Sequence, residues 1–186
     1  SLTDTNVYYN PTSADNSHKP LIYEKLSLGN SFVSYTGHGS FMGWQNPPYR
    51  VKDVDTLLNN VGKYGIFVNN CCHTGQYDMP VCFTESLLQA KDKGGVACIG
   101  SSDYTLWDED YYWAVGYKDI SLNPQYDATK LGMYDRLFHT HNEIFLQRYI
   151  TSAQMVQSGN LAVTQSLSPY YKHYWEMYNL QGDPTL

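Results

Sequence analysis

The chain has 186 residues, of which 42% are hydrophobic, and this length and composition are typical of one globular domain with a substantial core. Only 16% of the residues are charged, so uncharged polar side chains and the 18 tyrosines must cover much of the surface. The net charge of −6 argues against a nucleic-acid or anionic-membrane partner, and no apolar run approaches the roughly 20 residues of a membrane span.

The first two thirds of the chain alternate between predicted helices and strands. The segment 1–19 is rich in Asn, Asp, Ser and Pro and is predicted to be irregular. Helical periodicity and continuous apolar runs then predict, in chain order, helix Pro20–Leu28, strand Ser31–Tyr35, helix Asp53–Val61, strand Tyr64–Val68, helix Phe83–Lys93 and strand Gly95–Ile99.

The last third carries fewer strand signals. Asp103–Gln125 is predicted to be a long aromatic and acidic loop, Lys130–Gln157 a helix open to interruption, and a final helix starts near Pro169 and ends at Gly182. Strands with no polar alternation, separated by helices, indicate a parallel sheet buried on both faces. The sequence therefore predicts an α/β layer fold with right-handed crossovers.

Three predicted strands end in chemically unusual residues. The first ends in Gly37-His38-Gly39, the second in Cys71-Cys72 and the third in Ser101-Ser102-Asp103. In an open parallel sheet the carboxyl ends of the strands share one rim, where ligands bind. If the three strands are neighbours, an imidazole and a thiol come within reach of each other.

An imidazole beside a thiol is the pairing that cysteine-dependent acyl transfer needs. The imidazole holds the thiol proton, raises the thiolate fraction and later protonates the leaving amine. The backbone N–H groups of Gly39 and Cys72 would be natural oxyanion donors. Spacing alone leaves a purely structural alternative open. In that alternative His38 is a structural residue after a strand, and cysteines such as Cys82 and Cys98 are small buried hydrophobic residues.

Several motifs, in one order, make the sequence recognisable: Tyr35-Thr36-Gly37-His38-Gly39-Ser40, Asn70-Cys71-Cys72, Cys82-Phe83-Thr84-Glu85, Gly100-Ser101-Ser102 and Trp107-Asp108-Glu109-Asp110-Tyr111-Tyr112-Trp113. From about Tyr23 to its end, the chain resembles the gingipain family of cysteine endopeptidases, and its lysine-specific members above all. The resemblance implies a caspase-like three-layer sandwich at 20–186, with a mainly parallel sheet flanked by helices. It also implies a secreted or cell-surface bacterial protein.

Carried over residue by residue, the resemblance makes His38 the catalytic base and Cys72, the second of the two adjacent cysteines, the nucleophile. It puts Asp110 in the S1 pocket as the partner of a substrate lysine and Trp107 along the wall of that pocket. Protein or peptide substrates with lysine at P1 follow from this assignment. The alternative for Asp108, Glu109 and Asp110 is a solvated acidic loop with no specific role.

Family members also bind calcium, although the chemistry itself requires no cofactor. The resemblance places Glu85 and the backbone of Tyr77 where structural calcium ligands would be expected, since Ca²⁺ takes carboxylate and carbonyl oxygens. Glu85 could equally be an exposed residue near the start of a helix.

The chain also departs from the family pattern. In the family, a further strand-rich half precedes the matched segment and supplies an acidic residue that orients the catalytic histidine. Asp4, Asp15 and Glu24 lie in no matching motif, so the chain is expected to be the C-terminal part of a larger catalytic unit, with the upstream half as a partner. Two alternatives to a lysine-specific endopeptidase are a sortase-like transpeptidase of the same family and a catalytically incomplete binding or structural module.

Overall fold

The structure, a computed structural model, describes residues 17–138, 141–142, 144, 146 and 148–186. Its elements in chain order are α1 (Lys19–Leu28), β1 (Phe32–Thr36), β2 (Gly39–Ser40), β3 (Gly43–Gln45), β4 (Pro48–Arg50), α2 (Val51–Thr56), β5 (Gly65–Asn70), α3 (Phe83–Gln89), β6 (Gly95–Ser101), α4 (Trp107–Val115), α5 (Met133–Leu137), α6 (Ser152–Gln165), α7 (Tyr171–Met177) and β7 (Tyr178–Gly182).

A four-stranded sheet in the order β1-β5-β6-β7 forms the centre of the fold. The strands β1, β5 and β6 run parallel, and β7 pairs antiparallel with β6 at the edge. Most apolar residues of β5 and β6 are buried, on both faces of the sheet, as a continuous apolar run predicts; Ile66 is half-buried and Val96 is exposed. A small antiparallel sheet, β2-β3-β4, follows directly on β1.

Two hydrophobic clusters lie on opposite faces of the central sheet. On one face, Phe67 and Cys98 pack with residues of α1, α2 and α3 such as Leu26 and Leu87. On the other face, Val68 and Ile99 pack with residues of α4 to α7. The expected three-layer α/β architecture with a mainly parallel sheet is therefore confirmed. None of the described helices is both long and apolar enough to cross a membrane.

The predicted elements of the first two thirds are largely confirmed. The strands predicted at Tyr64–Val68 and Gly95–Ile99 are β5 and β6, each displaced by no more than about two residues. The helix predicted at Asp53–Val61 is shorter and lies earlier, at Val51–Thr56. The segment 1–19 falls mostly outside the described residues, and α1 begins at its last residue.

Three predictions for the last third are wrong in part. The loop predicted at Asp103–Gln125 contains α4, because Glu109, Asp110, Trp113 and Ala114 form a buried helical face. The final predicted helix ends at Met177, and β7 follows without a loop. The helix predicted at Lys130–Gln157 is replaced by α5 and the start of α6, with residues 139, 140, 143, 145 and 147 outside the description.

Candidate active site

The carboxyl ends of the three parallel strands form one rim of the sheet. His38 lies two residues beyond β1, Cys72 two residues beyond β5, and the loop 102–106 follows β6. Because β5 lies between β1 and β6, these three segments are neighbours. The rim predicted from the strand ends is therefore present.

His38 occupies the short connection between β1 and β2 and is exposed to solvent. Its carbonyl oxygen accepts hydrogen bonds from the Gln45 backbone N–H at 2.9 Å and from the Tyr35 hydroxyl at 2.8 Å. Its imidazole ring meets Trp107 edge-on, with 5.0 Å between ring centroids. The backbone of His38 is thus fixed by hydrogen bonds, while the residue itself is exposed to solvent.

Cys72 lies on the turn that follows β5 and is half-buried. A side chain on Gly39, the neighbour of His38, would place its Cβ 2.7 Å from the Cys72 carbonyl oxygen and 2.7 Å from the Cys71 sulfur. Glycine at this position therefore lets β2 approach the cysteine turn closely, and the fold brings the histidine turn against the cysteine turn.

The other three cysteines are poor candidates for the nucleophile because all of them are buried. The Cys71 sulfur lies 3.8 Å from the Thr74 hydroxyl, and burial raises the pKa of this thiol well above its usual value. Burial also raises the pKa of Cys82 and of Cys98. Since the thiolate is the reactive form, Cys72 is the cysteine best placed to react.

The backbone N–H of Gly39 lies outside the hydrogen-bond ladder of its own small sheet. The hydrogen bond from Gln45 N to His38 O makes 38 and 45 a hydrogen-bonded pair of the β2–β3 ladder. The next pair, Gly39 with Trp44, is then a non-hydrogen-bonded pair, so the Gly39 N–H points away from β3. The Gly39 N–H is therefore not used by the β2–β3 ladder, and its role as an oxyanion donor stays a prediction.

Asp110 lies in the first turn of α4 with only 4% of its surface exposed. One carboxylate oxygen, Oδ1, accepts the hydroxyls of Tyr174 at 2.8 Å and Tyr178 at 3.1 Å, and Oδ2 accepts the Thr105 hydroxyl at 2.5 Å. Burial raises the pKa of Asp110 to about 6, although these three hydrogen bonds act in the opposite direction. The alternative of a solvated acidic loop is therefore wrong for Asp110 and for Glu109, which is also buried and accepts the Ser168 hydroxyl at 2.6 Å, whereas Asp108 is exposed to solvent.

A cavity of about 320 Å³ opens beside this carboxylate. The end of β1, helix α4 and the segments after α4 line the cavity. The lining residues are Thr36, Trp107, Asp108, Asp110, Tyr111, Ala114, Val115, Ile120 and Tyr134. Trp107 is 61% exposed and is the same residue that contacts His38. The cavity therefore begins beside the histidine and has a buried carboxylate in its wall.

The two residues suggested as calcium ligands lie around the start of α3. Glu85 is half-buried, and its Oε2 accepts the Cys82 backbone N–H at 3.0 Å, which caps this helix. Tyr77 is 60% exposed. Within the described part of the chain, no cluster of three or more His, Cys, Asp or Glu side chains is suited to a metal ion. The remaining ligands of an ion at Glu85 would have to be backbone oxygens and water.

Three residues of the site had no predicted role. Thr105, Tyr174 and Tyr178 hold the Asp110 carboxylate, and they come from a loop, from α7 and from β7. Asn70, the last residue of β5, donates to the Asp110 carbonyl at 2.9 Å and accepts the Tyr178 hydroxyl. Of the acids considered for orienting His38, Glu24 is exposed on α1, and Asp4 and Asp15 lie outside the described residues.

Peptidase family C25 matches residues 1–186 of this sequence. The chain belongs to peptidase family C25. Among curated C25 relatives, Lys-gingipain and Lys-gingipain HG66 of Porphyromonas gingivalis are 35% identical over 168 residues and 36% identical over 174 residues. Each match covers 88% of this chain and 10% of the relative, so the chain spans about a tenth of the length of these relatives.

Solved structures agree with membership of family C25. A structure described as a protease superposes with a TM-score of 0.76 at 35% identity, covering 88% of this chain and 36% of that one. The Arg-specific cysteine proteinase gingipain R superposes with a TM-score of 0.71 at 21% identity, covering 90% and 35% of the two chains. The second likeness supports the fold alone, and the resemblance to gingipains read from the motifs is confirmed.

Proposed function

We propose that this C25 chain carries the catalytic site of a cysteine endopeptidase that cleaves after lysine. The observation that carries the proposal is the buried carboxylate of Asp110 in the wall of a cavity that begins beside His38. A buried carboxylate in an apolar slot favours a long cationic side chain. Desolvated charge pairs of this kind discriminate strongly between substrates.

The reaction follows from the groups on the rim. The Cys72 thiol gives its proton to His38, and the sulfur attacks the carbonyl carbon of the lysine residue and forms a C–S bond, while the Gly39 and Cys72 N–H groups stabilise the oxyanion. The C–N bond then breaks, and His38 gives a proton to the leaving amine. Water, deprotonated by His38, attacks the thioester, releases the acid product and restores the thiol.

The hydrogen bonds of Asp110 favour lysine over arginine. Both oxygens of Asp110 already have hydroxyl partners, Oδ2 with Thr105 and Oδ1 with Tyr174. The Tyr178 hydroxyl also lies 3.1 Å from Oδ1, although its single proton is shared with Asn70. A substrate cation is therefore more easily bound through a contact with one oxygen than through contacts with both. An ammonium is satisfied by one such contact, whereas a guanidinium prefers to bind both oxygens of a carboxylate.

The test compares peptide substrates that differ only at P1, with lysine, arginine or the neutral norleucine before a chromogenic leaving group. We expect kcat/KM for lysine to exceed that for arginine by about a hundredfold or more. The norleucine peptide measures the reaction without the charge pair. Equal rates on lysine and arginine would contradict the specificity, and no hydrolysis of any of the three by the full-length protein would contradict the peptidase itself.

We also propose a structural calcium ion with Glu85 and the Tyr77 carbonyl among its ligands. Oε1 of Glu85 is the carboxylate oxygen that does not cap α3. An ion that binds only the folded state at a hundred times its Kd stabilises that state by about 2.7 kcal/mol. We therefore expect millimolar calcium to raise the melting temperature and a chelator to reverse the rise.

A secreted or cell-surface location also stays a prediction, to be checked by fractionation of the producing cells.

The matched variants for the calcium proposal are Glu85→Gln and Glu176→Gln. Glutamine keeps the capping bond to Cys82 but removes the charge that calcium prefers, so Glu85→Gln should lose the response to calcium. Glu176 is exposed on α7, and its variant should keep the response. A calcium effect of the same size in all three proteins would place the ion elsewhere.

A further inference from the structure

Thr105 contacts both the candidate nucleophile and the candidate specificity carboxylate. Its backbone N–H donates to the Cys72 sulfur at 3.3 Å, and its hydroxyl donates to Asp110 Oδ2 at 2.5 Å. The same hydroxyl oxygen lies 3.6 Å from the Cys72 sulfur, and the Thr105 carbonyl oxygen lies 3.7 Å from it. Within the described residues, all hydrogen-bond contacts of this sulfur are with Thr105.

An N–H group directed at a sulfur stabilises the thiolate over the thiol, because the partial positive charge of the proton faces the developing negative charge. That stabilisation depends on holding the donor at hydrogen-bond distance. Thr105 lies in the loop between β6 and α4, where the backbone is not fixed by helix or strand ladders. The neighbouring residues are held by α7, since the Leu106 N–H donates to the Tyr174 hydroxyl at 3.0 Å and the Tyr104 carbonyl oxygen lies 2.9 Å from His173 Nε2. The side chain of Thr105 itself is held by its hydrogen bond to the buried Asp110.

We propose that Thr105 is a positioning residue that couples Asp110 to Cys72, an inference that rests on the function proposed above. Its hydroxyl, held by the specificity carboxylate, keeps its backbone N–H directed at the nucleophilic sulfur. The carboxylate that binds the P1 side chain therefore also sets the reactivity of the cysteine. The coupling runs through a single residue and two hydrogen bonds.

The test measures alkylation of Cys72 by iodoacetamide, in which an S–C bond forms and iodide leaves. This reagent carries no P1 side chain, so its rate reports the sulfur without substrate recognition. Peptide mapping by mass spectrometry assigns the label to Cys72. The variants of the full-length protein are Thr105→Val, which keeps the shape and loses the hydroxyl, and Thr105→Ser, which keeps the hydroxyl.

We expect Thr105→Val to react about tenfold more slowly than wild type at pH 6, the order of effect of one hydrogen bond to a charged group. At pH 9 the rates should converge, since an ordinary thiol is then largely ionised. Thr105→Ser should react as wild type does. On a lysine peptide, Thr105→Val should lower kcat by a factor similar to its alkylation defect.

Thr56→Val is the matched control, because Thr56 donates its hydroxyl to the Lys52 carbonyl on the exposed end of α2. It should leave alkylation unchanged. If Thr105→Val does not fold, as judged by circular dichroism, Thr105→Ala removes the same hydroxyl without adding bulk and carries the same expectation.

Two results would overturn the role of Thr105: alkylation of the valine or alanine variant at the wild-type rate at pH 6, or a serine variant as slow as valine. A failure of the proposed function gives a different result: the wild-type protein does not prefer the lysine peptide over the arginine and norleucine peptides. Slower alkylation in Thr105→Val would then still support the contact between Thr105 and the sulfur.

Discussion

Replacing Cys72 with alanine is expected to lower kcat on a lysine peptide by at least about a thousandfold. Cys72 is the one cysteine of the four that is not buried, and removing the nucleophile of a catalytic unit costs far more than removing a single binding contact. The buried positions of Cys71, Cys82 and Cys98 rule out substitution by another thiol without unfolding. The measurement is steady-state hydrolysis of a lysine peptide by purified protein.

Cys71→Ala is the matched control for that experiment. Its thiol is fully buried and turned away from solvent, so this variant should keep most of its activity and lose only stability. The cost should be modest because a sulfur, rather than a large side chain, is removed. If Cys71→Ala abolished hydrolysis and Cys72→Ala did not, the assignment of the nucleophile would be reversed.

Replacing Asp110 with asparagine is expected to lower kcat/KM on the lysine peptide by about a hundredfold or more. Removing one partner of a desolvated charge pair costs about 2–5 kcal/mol, because the ammonium is left without its counter-charge. The norleucine peptide should be affected much less. The control is Asp55→Asn, since Asp55 is an exposed carboxylate on α2, remote from the cavity lining.

The raised pKa of Asp110 gives this variant a pH signature. Below about pH 6 the carboxyl becomes neutral, so the preference of wild type for lysine over norleucine should decline as the pH falls through that value. The ratio of the two substrates cancels the titration of groups that both reactions share. In Asp110→Asn the ratio should be small and independent of pH. A wild-type ratio that stayed constant from pH 5 to pH 8 would contradict the role of Asp110.

The same pKa predicts an effect on stability with a defined sign. The folded-state pKa of Asp110 is about 6 and its ordinary value is 3.8, so the folded state holds this proton more tightly than the unfolded state. The resulting stabilisation is complete below about pH 4 and is lost as the pH rises through 6, a change of about 3 kcal/mol. Relative to wild type, Asp110→Asn should therefore be more stable at pH 8 than at pH 4, as measured by denaturant midpoints.

Sequence patterns predicted β5 and β6, because strands covered on both faces are mostly apolar. The strand β7 escaped prediction for the opposite reason. Tyr178–Gly182 lies at the edge of the sheet, contains Asn and Gln, and follows α7 with no turn signal. The small sheet β2-β3-β4 has strands of two or three residues, too short for any periodicity to appear.

The helix α4 was mistaken for a loop because of its buried acids. Glu109 and Trp113, and likewise Asp110 and Ala114, are four residues apart and lie on its buried face. A search for apolar residues at helical spacing counts Glu109 and Asp110 as exposed, so the apolar face of this helix is not detected. Apart from Thr105, the hydroxyls that donate to these acids belong to residues 59 to 68 positions later in the chain, and local patterns cannot reveal such partners.

The part of the candidate site that lies at the strand ends was predictable from the sequence. Topology alone brings His38 and Cys72 to one rim, and the motifs select Cys72 over Cys71. The place of Thr105 was not predictable, because an isolated threonine in a loop carries no periodicity and no charge. Its importance in the structure comes from the two partners between which it lies.

The hydrogen bonds that hold Asp110 also limit how the cavity could be redesigned to bind other substrate side chains. Its oxygens are held by hydroxyls from a loop, a helix and an edge strand, so moving the charge requires changes in three separate parts of the chain. Shifting the acid by one position along α4 would rotate it by about 100° and remove the carboxylate from Tyr174 and Tyr178. A new preference is therefore reached more readily by reshaping the opening around Trp107 than by relocating the carboxylate, and engineered variants of this fold should be sought there first.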